Sequence, residues 1–244
     1  MKEEKVGILG YGEIGQAIGK FYKFFFIKDL DRDTFPKKLD ILHICIPIFK
    51  GFEKVIKDDI SSYDPYMVII HSTVPVGTTK KIQKSFPRKI IAQSPARGVH
   101  PYLYEGIKTF VKYVGVVDKK RGEIVKKHLN KIGIKKVKVL TPPETSEALK
   151  LWDTTQYGWF IVLNKAIKKW CDKKGLDFET IYTEANKSYN EGYLKLGRPE
   201  VVRPRLKYMS GFIGGHCVIP NCYLLDDEIA KFILKKNEIY KKEK

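Results

Sequence analysis

The chain has little that would take it into or across a membrane. The apolar run Phe24-Phe25-Phe26-Ile27 is far shorter than the roughly 20 residues a spanning helix needs. The opening Met1-Lys2-Glu3-Glu4-Lys5 leads into a strand-like segment without the apolar core of a secretion signal. Both absences predict a cytoplasmic protein with no membrane partner. Cysteine is scarce: Cys45, Cys171, Cys217 and Cys222 form no C-x-x-C pair, which argues against a disulfide framework. His216, Cys217 and Cys222 make a poor zinc site without a second ligand pair, so no metal is expected. Arginine is scarce too, at 7 of the 46 basic residues. The net charge of +18 is therefore carried by lysines spread along most of the chain, including Lys119, Lys120, Lys126 and Lys127. Nucleic-acid sites more often gather Arg and Lys with stacking aromatics on one face, and no RNP, helix-turn-helix or zinc-finger spacing occurs. The charge is read as a solvated surface that can draw in anionic substrates, with no nucleic-acid partner. There is no internal repeat.

What is present is a chain of 244 residues, 43% hydrophobic, enough for one large domain or two modest ones. Strand-like runs at Lys5 to Leu9, Phe24 to Asp29, Ile41 to Ile46, Met67 to His71 and Lys89 to Ala92 alternate with helical patterns. Those patterns run from Glu13 to Tyr22, Phe52 to Ser61 and Thr78 to Phe86. The alternation predicts parallel strands in an α/β sheet, extended by Val111 to Val116 and Val137 to Leu140 around a helix from Lys119 to Ile132. After Thr141-Pro142-Pro143 the pattern turns helical, with Leu149, Trp152, Trp159, Leu163, Ile167 and Trp170 near helical spacing. One long helix ending at Gly175 is expected, with Gly158 a kink or a close-packing point. A helix from Phe178 to Ser188, an irregular segment and a terminal helix near Asp226 to Lys235 follow. The expected fold class is α/β: a doubly wound Rossmann sheet over residues 1–141, then a helical domain over 142–244 with a long central helix.

Two glycine clusters bracket the chain. Gly10-Tyr11-Gly12-Glu13-Ile14-Gly15 follows an apolar strand and opens a helix, the context in which G-x-G-x-x-G cradles a pyrophosphate. Asp29 lies 19 residues beyond the first glycine and Asp31 two further on. Either can bind a ribose hydroxyl and favour NAD over NADP. His71-Ser72-Thr73-Val74-Pro75-Val76-Gly77-Thr78-Thr79 follows another strand, and its hydroxyls could contact cofactor or substrate or simply cap a helix. Near the other end, Gly211-Phe212-Ile213-Gly214-Gly215-His216-Cys217 sets a thiol among glycines, a candidate nucleophile loop. Cys45 and Cys171 read as core thiols.

These motifs, with Ser94-Pro95-Ala96-Arg97 and Glu147-Ala148-Leu149-Lys150-Leu151 between them, resemble in their order the UDP-glucose/GDP-mannose dehydrogenase family. The His-Cys form of the last motif is most similar to the UDP-N-acetylmannosamine dehydrogenase branch. The resemblance covers nearly the whole chain. It implies a nucleotide-sugar dehydrogenase of polysaccharide biosynthesis that oxidises a primary alcohol to a carboxylate in two NAD-dependent steps, through a cysteine thiohemiacetal and thioester. It also implies a homodimer formed through the long helix. Matched position by position, Cys217 is the nucleophile, Lys150 the lysine that stabilises oxyanion character, and Thr73 the threonine of the S-T-V-P segment. Gly10, Gly12, Glu13, Ile14, Gly15, Asp29, Asp31, Pro47, Ser72 and Thr73 fall at cofactor-binding positions. Lys150, Gly214, Gly215, His216 and either Arg203 or Arg205, the arginine presented across the dimer interface, fall at substrate-binding positions.

The departures are specific. Thr154 and Asn221 fall at catalytic positions, Thr154 where the family has an asparagine and Asn221 where it has an aspartate, and Ala96 stands where it has a glutamate, for which Glu105 or His100 could substitute. Ile48-Phe49 follows Pro47 in place of the usual Thr-Pro. Each of the first three changes removes a hydrogen-bonding or proton-transfer group that the thioester half of the reaction uses. The sequence runs 27 residues past Cys217, room for about one helix, where the family has a third domain that holds the nucleotide. A separate partner chain could supply that platform, or the substrate could be smaller. The alternatives are a β-hydroxyacid-type alcohol dehydrogenase using Lys150, with Cys217 dispensable, and a non-catalytic dinucleotide-binding paralogue.

Overall fold

The computed structural model describes residues 4–99 and 101–242 of the chain, which divides into two compact units, Met1–Lys150 and Leu151–Lys244. The first unit runs β1 (Val6–Leu9), α1 (Glu13–Gly19), β2 (Phe26–Asp29), β3 (Arg32–Asp33), β4 (Ile41–Ile44), α2 (Phe52–Tyr63) and β5 (Met67–Ile70). It continues with α3 (Thr78–Ser85), β6 (Ile90–Gln93), α4 (Leu103–Thr109), β7 (Lys112–Gly115), α5 (Lys119–Lys131), β8 (Val137–Leu140) and the first turns of α6 (Glu144–Lys174). The strands form one sheet in the order β3-β2-β1-β4-β5-β6-β7-β8. β1 pairs in parallel with β2 on one side and β4 on the other, with Ile8 opposite both Ile27 and His43. The order reverses between β1 and β4, so a crevice opens beyond their carboxyl ends, where ligands of open α/β sheets collect.

Alternate residues of each strand face opposite helical layers. On one face Val6, Ile8, Ile41, Cys45, Met67 and Ile69 pack with Ala17 and Ile18 of α1 and Val125 and Leu129 of α5. On the other, Leu9, Leu42, Ile44, Val68 and Ile70 pack with Phe52, Ile56 and Ile60 of α2 and Ile82 of α3. The doubly wound sheet expected from the alternating segments is therefore present, but it is not wholly parallel. β3 turns back on β2, and β7 enters antiparallel to β6, with Gln93 opposite Gly115. A parallel partner would need a crossover returning the chain to the starting end of β6. Here the chain comes back through α4 at the far end and needs none.

The second unit comprises the remainder of α6, a π-helical turn at Glu179–Glu184, α7 (Ala185–Lys195), a 3-10 turn at Pro199–Val201, α8 (Val218–Leu224) and α9 (Glu228–Lys242). Its core joins Val162 of α6 to Ile213, Val218 and Cys222 and to Ala230 and Ile233 of α9. A smaller cluster holds Cys171, Phe178 and Tyr182. Gly158 is a close-packing point: a Cβ there would lie 2.6 Å from Val218 Cγ1, so its absence lets α8 sit directly on α6. Among the described residues, no helix is long and apolar enough to cross a membrane.

Candidate functional site

The glycines of the first βα turn have separable jobs. Gly10 is buried with φ of 87°, and a Cβ there would meet Ile46 and the backbone of Cys45. At Gly15 a Cβ would sit 2.0 Å from Gly10 O, so only glycine lets α1 close against the turn. Gly12 is exposed, and a Cβ there would meet nothing within 4 Å, which leaves open space for a ligand to approach the backbone. Glu13 is exposed and Ile14 half-buried at the start of α1. Asp29 ends β2 and is half-buried; its carboxylate accepts the Tyr11 N–H at 2.6 Å and the Leu30 N–H at 2.8 Å. The acid is thereby fixed against the glycine turn. Asp31 is exposed in the turn leading to β3. Turn, open backbone and anchored acid together fit the adenosine and pyrophosphate portion of a dinucleotide.

Across the switch point, Ser72 is buried and donates to Ile46 O at 2.6 Å, tying the segment after β5 to the one after β4. Pro47 is exposed next to that carbonyl, and Thr73 is half-buried. The segment ends at α3, whose first turn is held by a carboxylate from α6. Fully buried Glu147 accepts the Gly77 N–H at 2.6 Å, the Thr79 N–H at 2.8 Å and the Thr79 hydroxyl at 2.7 Å. Burial raises the Glu147 pKa in spite of these bonds, because desolvation outweighs them. Lys150 follows one helical turn later and is half-buried; burial lowers the pKa of Lys112 on β7, and the Lys150 charge adds to it. Neither Lys112 nor the clamp by Glu147 stood out in the sequence. In the sequence Glu147 is the first residue of the Glu147-Ala148-Leu149-Lys150-Leu151 segment, its partners Gly77 and Thr79 lie 70 and 68 residues away, and Lys112 is one lysine among many.

In the Ser94-Pro95-Ala96-Arg97 segment, Ala96 is buried and the Arg97 guanidinium lies over Phe110 and Tyr113. Glu105 is exposed on α4. His100 lies outside the described residues.

In the second unit, Cys217 is exposed and immediately precedes α8. Gly214, Gly215 and His216 are exposed before it, Gly215 with φ of 83°. A cleft of about 450 Å³ is lined by Cys217, Gly214, Ser210, Asn164, Lys165 and Tyr157, among others. Lys165 is buried and donates to Met209 O and to Gly211 O, pinning the start of the cysteine loop to α6. Asn237 of α9 accepts the Ile213 N–H at 2.5 Å from the other side. Thr154 and Asn221, two of the replaced positions, lie together: the Asn221 amide donates to Thr154 Oγ1 at 3.0 Å, and Thr154 donates to Leu151 O. Both are buried. The Arg203 guanidinium stacks 3.6 Å over the Tyr189 ring, and its backbone bonds Asn190 in both directions. Arg205 is exposed. Cys45, Cys171 and Cys222 are buried, and burial pushes the Cys45 and Cys222 thiols up.

The chain is 25% identical over 229 residues to a UDP-N-acetyl-D-mannosamine dehydrogenase of Methanococcus vannielii, an alignment that takes in 87% of this chain and 50% of that protein. The resemblance read from the motifs holds. The chain spans about half the length of the curated nucleotide-sugar dehydrogenases it matches. Its fold is also that of a UDP-D-ManNAc dehydrogenase from Pyrococcus horikoshii, with a TM-score of 0.77 at 17% identity over 96% of this chain and 68% of the other. A 3-hydroxyisobutyrate dehydrogenase from Mycobacterium tuberculosis shares the fold with a TM-score of 0.68 at 11% identity, over 99% of this chain and 95% of that one. No family model matches the chain.

Proposed function

We propose that the chain is an NAD-dependent oxidoreductase acting on the primary alcohol of a nucleotide sugar, as the names of its curated relatives suggest. The observation that carries this reading is the first βα turn, where Gly12 is open, Gly15 is packed shut and Asp29 is anchored beside them. Gly10, Gly12, Gly15 and Asp29 would hold the dinucleotide, with Ser72, Thr73 and Pro47 bordering the crevice. Bound there, NAD would supply the hydride acceptor. Cys217 is assigned the nucleophile: its thiolate adds to the aldehyde carbon, and the carbonyl oxygen takes up the negative charge. Lys150 is assigned to offset that charge. A cytoplasmic homodimer, with Arg203 or Arg205 offered to the partner's substrate, completes the reading, as does a role in polysaccharide biosynthesis.

The test is NADH formation by the purified chain against a panel of UDP- and GDP-sugars, paired with calorimetry of NAD. Cys217→Ala should abolish acid formation, and Lys150→Ala should slow it severely. A second reading rests on the arrangement of doubly wound sheet, long α6 and Lys150 on that helix. In it the chain is an alcohol dehydrogenase of the β-hydroxyacid type, and Lys150→Ala alone would be damaging. NAD binding without turnover on any alcohol would leave a dinucleotide-binding protein without catalysis.

A further inference from the structure

One face of the sheet carries a polar seam through its apolar layer. His43 of β4 stands between Ile41 and Cys45, which follows the strand, and His71 continues the series Met67, Ile69 from β5; the two rings are 0% and 1% exposed. His43 Nδ1 lies 2.8 Å from His71 Nε2. On one side, Tyr22 Oη lies 2.7 Å from His43 Nε2 and 2.7 Å from Nε2 of His128, a buried residue of α5. His128 Nδ1 then faces the Glu4 carboxylate at 3.8 Å, with that side chain 33% exposed. On the other side, His71 Nδ1 lies 3.2 Å from the ammonium of buried Lys112, which also reaches Ser94 O at 2.7 Å and Pro95 O at 2.9 Å. Five ionisable side chains thus form a hydrogen-bonded line from β7 across β5 and β4 to α5, and its outer end, His128 Nδ1, stands at ion-pair distance from a carboxylate in reach of solvent.

We propose that Lys112, His71, His43, Tyr22, His128 and Glu4 form a proton-conducting chain between the segment after β6 and the surface at Glu4. Two arrangements of its hydrogens satisfy the line. In the first, Lys112 donates to Ser94 O, Pro95 O and His71 Nδ1; His71 donates from Nε2 to His43 Nδ1, and His43 from Nε2 to Tyr22. Tyr22 donates to His128 Nε2, and His128 directs its Nδ1 proton at Glu4. Three lysine protons meet three acceptors, and no imidazole carries a charge. In the second, His71 donates from Nδ1 to Ser94 O, which lies 2.9 Å away, His43 from Nδ1 to His71, Tyr22 to His43, and His128 from Nε2 to Tyr22. The second holds one proton fewer: each link passes one proton outward, one leaves Lys112 Nζ, and the one that leaves His128 Nδ1 goes past Glu4, whose Oε2 also accepts from Lys131 at 3.0 Å, to solvent, while all three imidazoles change tautomer.

The electrostatics let Lys112 give up its proton near neutrality. Desolvation is the main cause that lowers Lys112 to about 7, with the Lys150 charge adding to it and Cys45 opposing it. Burial likewise lowers His43, with His128 and Lys112 adding, and lowers His71, with Lys112 and His43 adding against the Ser94 hydrogen bond; His128 is lowered by burial against the pull of Glu4, with Lys131 adding. Burial raises Tyr22, with Glu4, Tyr66 and Cys45 contributing, so the phenol stays neutral and passes a proton only by taking one. His71 directly precedes Ser72 and Thr73, and Lys150 acts on Lys112. The inner end of the line therefore adjoins the residues assigned to cofactor and substrate, and on the reading proposed above it would carry off the proton that alcohol oxidation releases.

The experiment follows the ring tautomers of His43, His71 and His128 by nitrogen NMR on 15N-histidine-labelled chain from about pH 6 to about pH 9. The expected result is a concerted inversion of all three centred near the Lys112 value, about 7. In Tyr22→Phe, which keeps the ring in place, His43 and His71 should stop following His128. In Glu4→Gln, which leaves the buried links intact, the concerted midpoint should move. Fixed tautomers across the range, independent titrations, or an inversion unchanged by Tyr22→Phe would overturn the proposal and leave a structural network. None of this needs turnover, so a chain inactive on every alcohol would sink the functional reading while the tautomers still decide this one. In an active chain, Tyr22→Phe should slow oxidation several-fold and enlarge its solvent isotope effect, with NAD affinity unchanged.

Discussion

At Gly12 and Gly15 the same residue type does opposite things, and substitution should separate them. A valine at position 12 meets open space, so Gly12→Val should leave thermal stability nearly unchanged and remove NAD binding by calorimetry. Gly15→Ala drives a methyl into Gly10 O and should lower stability by about 1–3 kcal/mol in a denaturant titration. Lys112 gives a pH signature of its own. Its folded value of about 7 lies below the ordinary lysine value of 10.5, so between these the unfolded chain binds a proton that the folded one does not. Its contribution to stability should therefore rise as pH climbs from about 7 toward 10.5 and be flat below. Lys112→Met should flatten that rise in thermal midpoints measured side by side with the parent. The glycine turn was legible because its spacing is itself the constraint. His43 was not: a polar residue inside the run Ile41-Leu42-His43-Ile44 was the signal, but its partners His71, Tyr22 and His128 are distant in sequence.

Among the elements, those marked by long periodic patterns came through with ends shifted by a few residues. β8 fell at the expected Val137–Leu140, and α6 ends at Lys174, one residue short of the Gly175 expected. What the sequence hid was short or depended on distant contacts. β3 has two residues and exists only as the return arm of β2. α8 reads as loop because Pro220 sits within it, yet Pro220 is in the first turn, where its missing N–H has no helical partner to lose. α9 runs to Lys242, past the expected Lys235, with Asn237 bonded to the cysteine loop. Glu147 makes the start of α6 the cap of α3. Glu147→Ala would leave the buried Thr79 N–H and the nearby Gly77 N–H without their acceptor, at about 1–3 kcal/mol for each fully desolvated group. Circular dichroism melts should show the loss, and Glu147→Gln, which keeps one acceptor oxygen, should lose less.

For the molecule as a whole, Asp29 and Asp31 would repel a 2′-phosphate, so NAD should bind more tightly than NADP in calorimetry despite the net charge of +18; the reverse order would remove the cofactor assignment. That field is a property of the entire surface and says little about any one site, which is why composition alone left the partner class to be argued from motifs. The distribution of thiols is more selective. Cys45, Cys171 and Cys222 are sealed in their cores, while Cys217 faces solvent beside its cleft. The native chain should accordingly take up one maleimide fluorophore, at Cys217, before the other three react, as peptide mapping would report. A dye placed there without mutagenesis would turn the protein into its own optical sensor, reading out by intensity or polarisation whatever enters that cleft.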